Sequence, residues 1–126
     1  MNEEKQKIKS FKDLNVWKEG HKLVILIYEA TENFPQSEVF ALTNQMRRCS
    51  VSITSNIAEG FGRQSYKEKI QFYSIAQGSL AELQNQLLVS KDVHFLSGDD
   101  FIKLDNQSVL VQKILSGLIK KTKSFI

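Results

Sequence analysis

Apolar residues recur along this chain at spacings of three and four, and nowhere with a sustained period of two. Such spacing lines one face of a helix, so the pattern predicts an all-α fold without strands. Trp17, Gly20, Val24, Ile27, Tyr28 and Thr31 mark a first helix over about 15–33. Phe34-Pro35 ends it, because proline lacks a backbone donor and disfavours helical geometry in the residue before it. Ser37 is placed to cap a second helix with Glu38 in its first turn. The stripe Val39, Leu42, Met46, Cys49, Ile53, Ile57 carries that helix to about residue 59, where Gly60 and Gly62 are expected to close it through left-handed backbone angles.

Ser65-Tyr-Lys-Glu68 reads as a capping box that opens a third helix over about 66–93, along Tyr66, Ile70, Tyr73, Ala76, Leu80, Leu83 and Leu87. After a turn at Leu96-Ser-Gly-Asp99, a fourth stripe runs through Phe101, Leu104, Ser108, Val111, Leu115 and Leu118. It ends in Lys120, Lys121 and Lys123, cations that complement the negative end of a helix. Long helices joined by short connections predict an up-down-up-down antiparallel four-helix bundle over 11–126. Residues 1–10 hold one apolar side chain beyond the initiator, Ile8, and are expected to form a solvated tail.

Composition adds limits to this picture. A chain of 126 residues fits one domain with one core. Lys and Arg outnumber Asp and Glu by 17 to 14, a net +3 that points only weakly toward nucleic acid unless the charges cluster. Cys49 is the only cysteine, so no internal disulfide forms, and no apolar run has the length of a membrane span or the form of a signal peptide. A cytoplasmic, reducing setting is the expectation.

The stretch QMRRCSVSITSNIAEGFGR, 45–63, gathers the most chemistry. The short connection after it makes helices 2 and 3 antiparallel, which is expected to place Cys49 near Gly78, Ser52 near Ile75, Asn56 near Gln71 and Gln45 near Glu82. Gly78 and Ser79 would then face small residues of helix 2 and let the backbones approach closely. In the same register Arg48 pairs with Glu82, while Arg47, about 100° round the helix, is exposed. Ser52, Asn56 and Glu59 share one face and are expected to hydrogen-bond along the seam and to amides around Gly60, a structural role. Arg47, Arg48, Arg63, Lys67 and Lys69 lie along the hairpin as candidates for binding nucleic-acid phosphates.

Enzyme signatures are missing from the sequence. Di-metal bundles need Glu-x-x-His, yet His21 and His94 follow Lys18 and Lys91 at that spacing. Neither histidine has the arginine four to six residues before it that HEPN-type ribonucleases carry, and two histidines and one cysteine so far apart make a poor zinc set. There is no G-x-S-x-G, P-loop or dinucleotide fingerprint. Cys49 sits on the apolar stripe and reads as a core residue. No catalytic residue, metal ligand or cofactor is assigned, and the chain is expected not to be an enzyme.

Phe11-Lys-Asp-Leu-Asn-Val-Trp17, Phe34-Pro-x-x-Glu38, Gln45-Met-Arg-Arg48, Ser52-Ile-Thr-Ser-Asn-Ile-Ala-Glu-Gly60, Gly62-Arg63 and Ile75-Ala-x-Gly-Ser-Leu-x-Glu82 together resemble the four-helix-bundle proteins of 23S ribosomal RNA intervening sequences, also called S23 ribosomal proteins. The chain is also similar to the accessory variability protein of diversity-generating retroelements. The resemblance implies an up-and-down bundle assembled as a homopentamer, with structured RNA or a reverse transcriptase as partner. Thr54 departs from the proline usual there, Gly20 from alanine, and Ala41 from glycine.

Two functional classes follow. One is a non-catalytic oligomer associated with RNA. The other is an oligomeric scaffold that recognises a protein partner without touching nucleic acid. Leu26, Phe72, Leu88, Val89 and Leu110 fall off the core stripes and favour self-association in either case.

Overall fold

The computed structural model describes residues 7–126; residues 1–6 of the expected tail lie outside them. The first element among the described residues is a 3-10 helix at Phe11–Asp13, held by a capping box in which Ser10 accepts from the Lys12 amide and the Asp13 carboxylate accepts from the amides of Lys9 and Ser10. Those amide hydrogen bonds hold the Asp13 carboxyl below its usual range.

Four α-helices follow: α1 (Asn15–Thr31), α2 (Asn44–Gly62), α3 (Tyr66–Asp92) and α4 (Gly98–Lys123). Between α1 and α2 the chain makes a 3-10 turn at Gln36–Glu38 and a widened π-type turn at Val39–Thr43, with Ala41 outside helical geometry. Ser37 therefore does not cap α2. Glu38 caps the π-type turn instead, its carboxylate accepting from the Leu42 amide at 3.4 Å, and α2 itself starts after Thr43 without a side-chain cap.

Packing runs around a ring, α1 on α2, α2 on α3, α3 on α4 and α4 on α1. Side-chain pairs fix the directions. Gly20 lies against Thr54, whereas Tyr28 and Thr31 meet Arg47, so α1 and α2 are antiparallel. Met46 meets Ser90 and Gly60 meets Tyr73, which does the same for α2 and α3. Gln77 bonds Ser116 and Gln84 bonds Ser108, reversing α4 against α3. The expected up-and-down arrangement follows from these contacts.

The core matches most of the stripes. Leu23, Ile27, Met46, Ile53, Ile57, Leu80, Leu83, Leu87, Leu104, Val111 and Leu115 are fully buried. Each such side chain contributes roughly 1.5–3 kcal/mol relative to exposure. Val39 and Tyr66, the outermost members of two stripes, are exposed, and so are Leu88, Val89 and Leu110.

Candidate nucleic-acid interface

The α2–α3 hairpin positions most of the candidate residues, and its register differs from expectation by about one turn. Ser52 and Ser79 share a hydroxyl–hydroxyl hydrogen bond of 2.9 Å, where Ser52 was expected beside Ile75; Ile75 is exposed. α2 continues through Gly62 before Arg63 turns extended. Gly60 is thus helical, not a left-handed stop. A Cβ on Gly60 would lie 2.7 Å from the Tyr73 ring and 3.1 Å from Phe72 Cβ, so glycine there permits the close crossing of α3. Among the described residues no glycine has positive φ; His94, at φ 67°, takes that geometry where α3 ends.

Small residues do form the seam, but not all of those expected. Cys49 donates from Sγ to the Ser79 carbonyl at 2.9 Å, and Asn56 Nδ2 donates to the Ser52 carbonyl at 2.8 Å and to its hydroxyl at 3.2 Å. Gly78 faces away from α2 and has open space around it. Burial, assisted by the negative charge of Glu82, pushes the Cys49 thiol up to about 12, so it stays protonated.

The two adjacent arginines have exchanged their expected roles. Arg47 is half-buried: Nε donates to Thr31 Oγ1 at 2.9 Å, Nη2 donates to the Tyr28 carbonyl at 3.3 Å and to Glu32 at 3.2 Å, and the guanidinium lies 4.8 Å from the Tyr28 ring centre. It ties α1 to α2. Arg48 is exposed, and among the described residues no ion pair joins it to Glu82, which instead accepts from Gln86 Nε2 at 3.4 Å.

Lys69 is also structural. Its ammonium donates to the Phe61 carbonyl at 2.6 Å, at the open end of α2, and at 3.4 Å to the Gly60 carbonyl, which also accepts from the Arg63 amide, and desolvation holds its pKa below the usual value. Arg63 pairs with Glu59 at 3.2 Å and stacks 4.5 Å from the Phe72 centre while remaining exposed. Lys67 is exposed and in no ion pair among the described residues. Of the five candidates, Arg48, Arg63 and Lys67 face solvent, and Arg47 and Lys69 are committed to the fold.

Sequence spacing did not reveal what the tertiary arrangement adds at the end of the hairpin. Phe125 stacks on Tyr66 at 5.2 Å, bringing the end of α4 to the start of α3. Gly20 against Thr54 and Ile57 sets the beginning of α1, and the 3-10 turn before it, beside the end of α2. One end of the bundle thereby collects Lys12, Arg63, Lys67, Lys120, Lys121 and Lys123, all exposed. Glu59 there is bound to Arg63 and Asp13 to backbone amides, which leaves Glu68 as an exposed acid among them. The opposite end carries Glu29, Glu32, Glu38, Asp92, Asp99 and Asp100 against Lys91, Lys103 and the Glu32-paired Arg47, so acids outnumber bases there.

Among the described residues no group of three or more His, Cys, Asp or Glu is placed to hold a metal, and no helix is long and apolar enough to cross a membrane. His21 stacks on Trp17 at 4.8 Å. Neither histidine has an acidic or nucleophilic hydrogen-bond partner among the described residues.

The fold has a solved counterpart. A crystal structure of a protein of unknown function from the S23 ribosomal protein family, from Bacteroides thetaiotaomicron, superposes with a TM-score of 0.75 at 23% identity, covering 83% of this chain and 98% of that one. No curated protein matches. The sequence model of the 23S rRNA-intervening sequence protein matches residues 12–117, from the turn before α1 into α4, and the chain belongs to that family.

Proposed function

We propose that the protein is a non-catalytic, self-associating RNA-binding accessory protein of the cytoplasm, with the basic end of the bundle as its phosphate-binding surface. The observation that carries this reading is the convergence of Lys12, Arg63, Lys67, Lys120, Lys121 and Lys123 from three stretches of the sequence onto one end, with acids in excess at the other. Clustered cations release counterions from a phosphate backbone, and a field of one sign at one end orients the approach. RNA is preferred to DNA because the family takes its name from ribosomal RNA. Self-association would repeat the basic end several times in one particle and strengthen binding through valency.

The roles of the reactive side chains support the non-catalytic part. Cys49 is protonated and donates to a carbonyl, His21 is stacked on an indole, and His94 closes a helix. Replacing Lys120, Lys121 and Lys123 by Glu should lower affinity for a structured RNA at least 10-fold. Unchanged affinity in that variant removes the basic end from consideration.

A scaffold that binds a protein partner and no nucleic acid is the second reading, favoured by the apolar surface on the turn before α2. Wild type that associates with itself but does not bind RNA at low salt selects it.

A further inference from the structure

Phe40 is 93% exposed, the barest large apolar side chain among the described residues. It stands on the turn before α2, at the rim of a groove of about 440 Å³ between α2 and α3. Cys49, Ser52 and Ser79 make the floor, their polar atoms satisfied by one another, so the floor is shallow and needs no further partner. Next to Ser79 on α3, Gly78 is exposed with nothing within 4 Å of where a Cβ would stand. Glycine inside a helix costs about 1 kcal/mol relative to alanine, and no contact within the chain calls for it here. Its effect is to keep the surface beside the groove bare. The rim carries both signs: Arg48 and Glu82 are exposed, line the same groove and do not pair with each other.

We propose that this groove is where a second copy of the chain docks, receiving the Phe40 ring of that copy, with Arg48 and Glu82 meeting opposite charges across the contact. This rests on the self-association in the reading above and names its surface. Charge selects the occupant. A phosphate backbone drawn to Arg48 is repelled by Glu82, whereas another copy offers a carboxylate to the one and a guanidinium to the other. A protruding aromatic seated in a small-residue groove with charged flanks has the make-up of an interface anchor.

The test is sedimentation velocity of the full chain over micromolar concentrations, with circular dichroism confirming that each variant is folded. Phe40→Ser alters a side chain that touches little in its own copy, so it should fold normally and associate at least 10-fold more weakly. Arg48→Glu and Glu82→Arg should each weaken association, and the double charge swap should restore it. If wild type associates and all these variants match it, the groove is not the contact although self-association stands. A wild type that remains monomeric at 100-fold excess over the working concentration overturns self-association itself. If Arg48→Glu lowers RNA affinity and leaves association unchanged, the groove serves RNA and the proposal is wrong.

Discussion

Arg47 Nε donates to Thr31 Oγ1 across 2.9 Å, joining the first turn of α2 to the last turn of α1. The same guanidinium reaches the Tyr28 carbonyl and Glu32, while its neighbour Arg48 projects into solvent. Two residues that look alike in sequence thus have different work. Arg47→Ala should lower unfolding free energy by about 1–3 kcal/mol, since it leaves a partly buried hydrogen-bond set incomplete. Arg48→Ala should stay within about 0.5 kcal/mol of wild type. Urea unfolding of both variants checks the pair, and equal losses contradict the assignment.

Glycine and left-handed geometry are separated in this fold. Gly60→Ala places a methyl 2.7 Å from the Tyr73 ring and should destabilise by about 1–3 kcal/mol despite the better helix propensity of alanine. Gly78→Ala, on an open helix surface, should stabilise by up to about 1 kcal/mol. His94→Gly should stabilise by about 0.5–1 kcal/mol, because glycine adopts φ 67° without the steric cost a side chain incurs. Thermal melts of the three variants give the signs directly.

Lys67 and Lys69 lie two residues apart and should respond oppositely. Lys69→Met removes a cap from the end of α2 and should cost about 1 kcal/mol in stability, with little change in RNA affinity at temperatures where it is folded. Lys67→Glu should leave stability nearly unchanged and weaken RNA binding. Reversed outcomes in melting and binding assays would place Lys69, not Lys67, at the interface.

The raised pKa of Cys49 sets an alkaline limit. The folded chain keeps the thiol proton up to about 12, while the unfolded chain releases it near 9.0. The stabilisation is therefore fully present below about pH 9 and is lost as pH rises from there toward 12, at no more than about 1.4 kcal/mol per pH unit. Tyr73, whose pKa burial also raises, acts in the same direction. Unfolding measured between pH 8 and 11 should show a shallower decline in Cys49→Ala than in wild type; parallel slopes contradict it.

Helix count, the end of α1 before Pro35 and the core stripes were legible in the sequence because period and capping are local. Met46, Ile53, Ile57, Leu80 and Leu115 are buried as their spacing required. The seam was harder to read. α2 runs to Gly62 and not to 59, and its pairing lies a turn from the expected one, with Ser52 on Ser79 instead of Ile75 and Gly78 turned outward. The register depends on tertiary packing that symmetry about the connection does not give. Arg47 was misplaced because helical angle alone gives no sign that Thr31 and Tyr28 wait on α1. Gly20 and Thr54, each a departure from the resemblance pattern, prove to be neighbours: a Cβ on Gly20 would stand 3.1 Å from Thr54 Cγ2. The basic end could not be read by spacing, because Lys12, Lys67 and Lys121 come together only when four helices are packed.

Salt dependence of binding to a structured RNA tests the central claim most directly. Phosphate contacts by the basic end predict that log K falls linearly with log salt, and that the slope shrinks by nearly one for each of Lys67, Lys120, Lys121 and Lys123 removed. Affinity that ignores salt, or a wild type that binds no RNA even at low ionic strength, contradicts the claim.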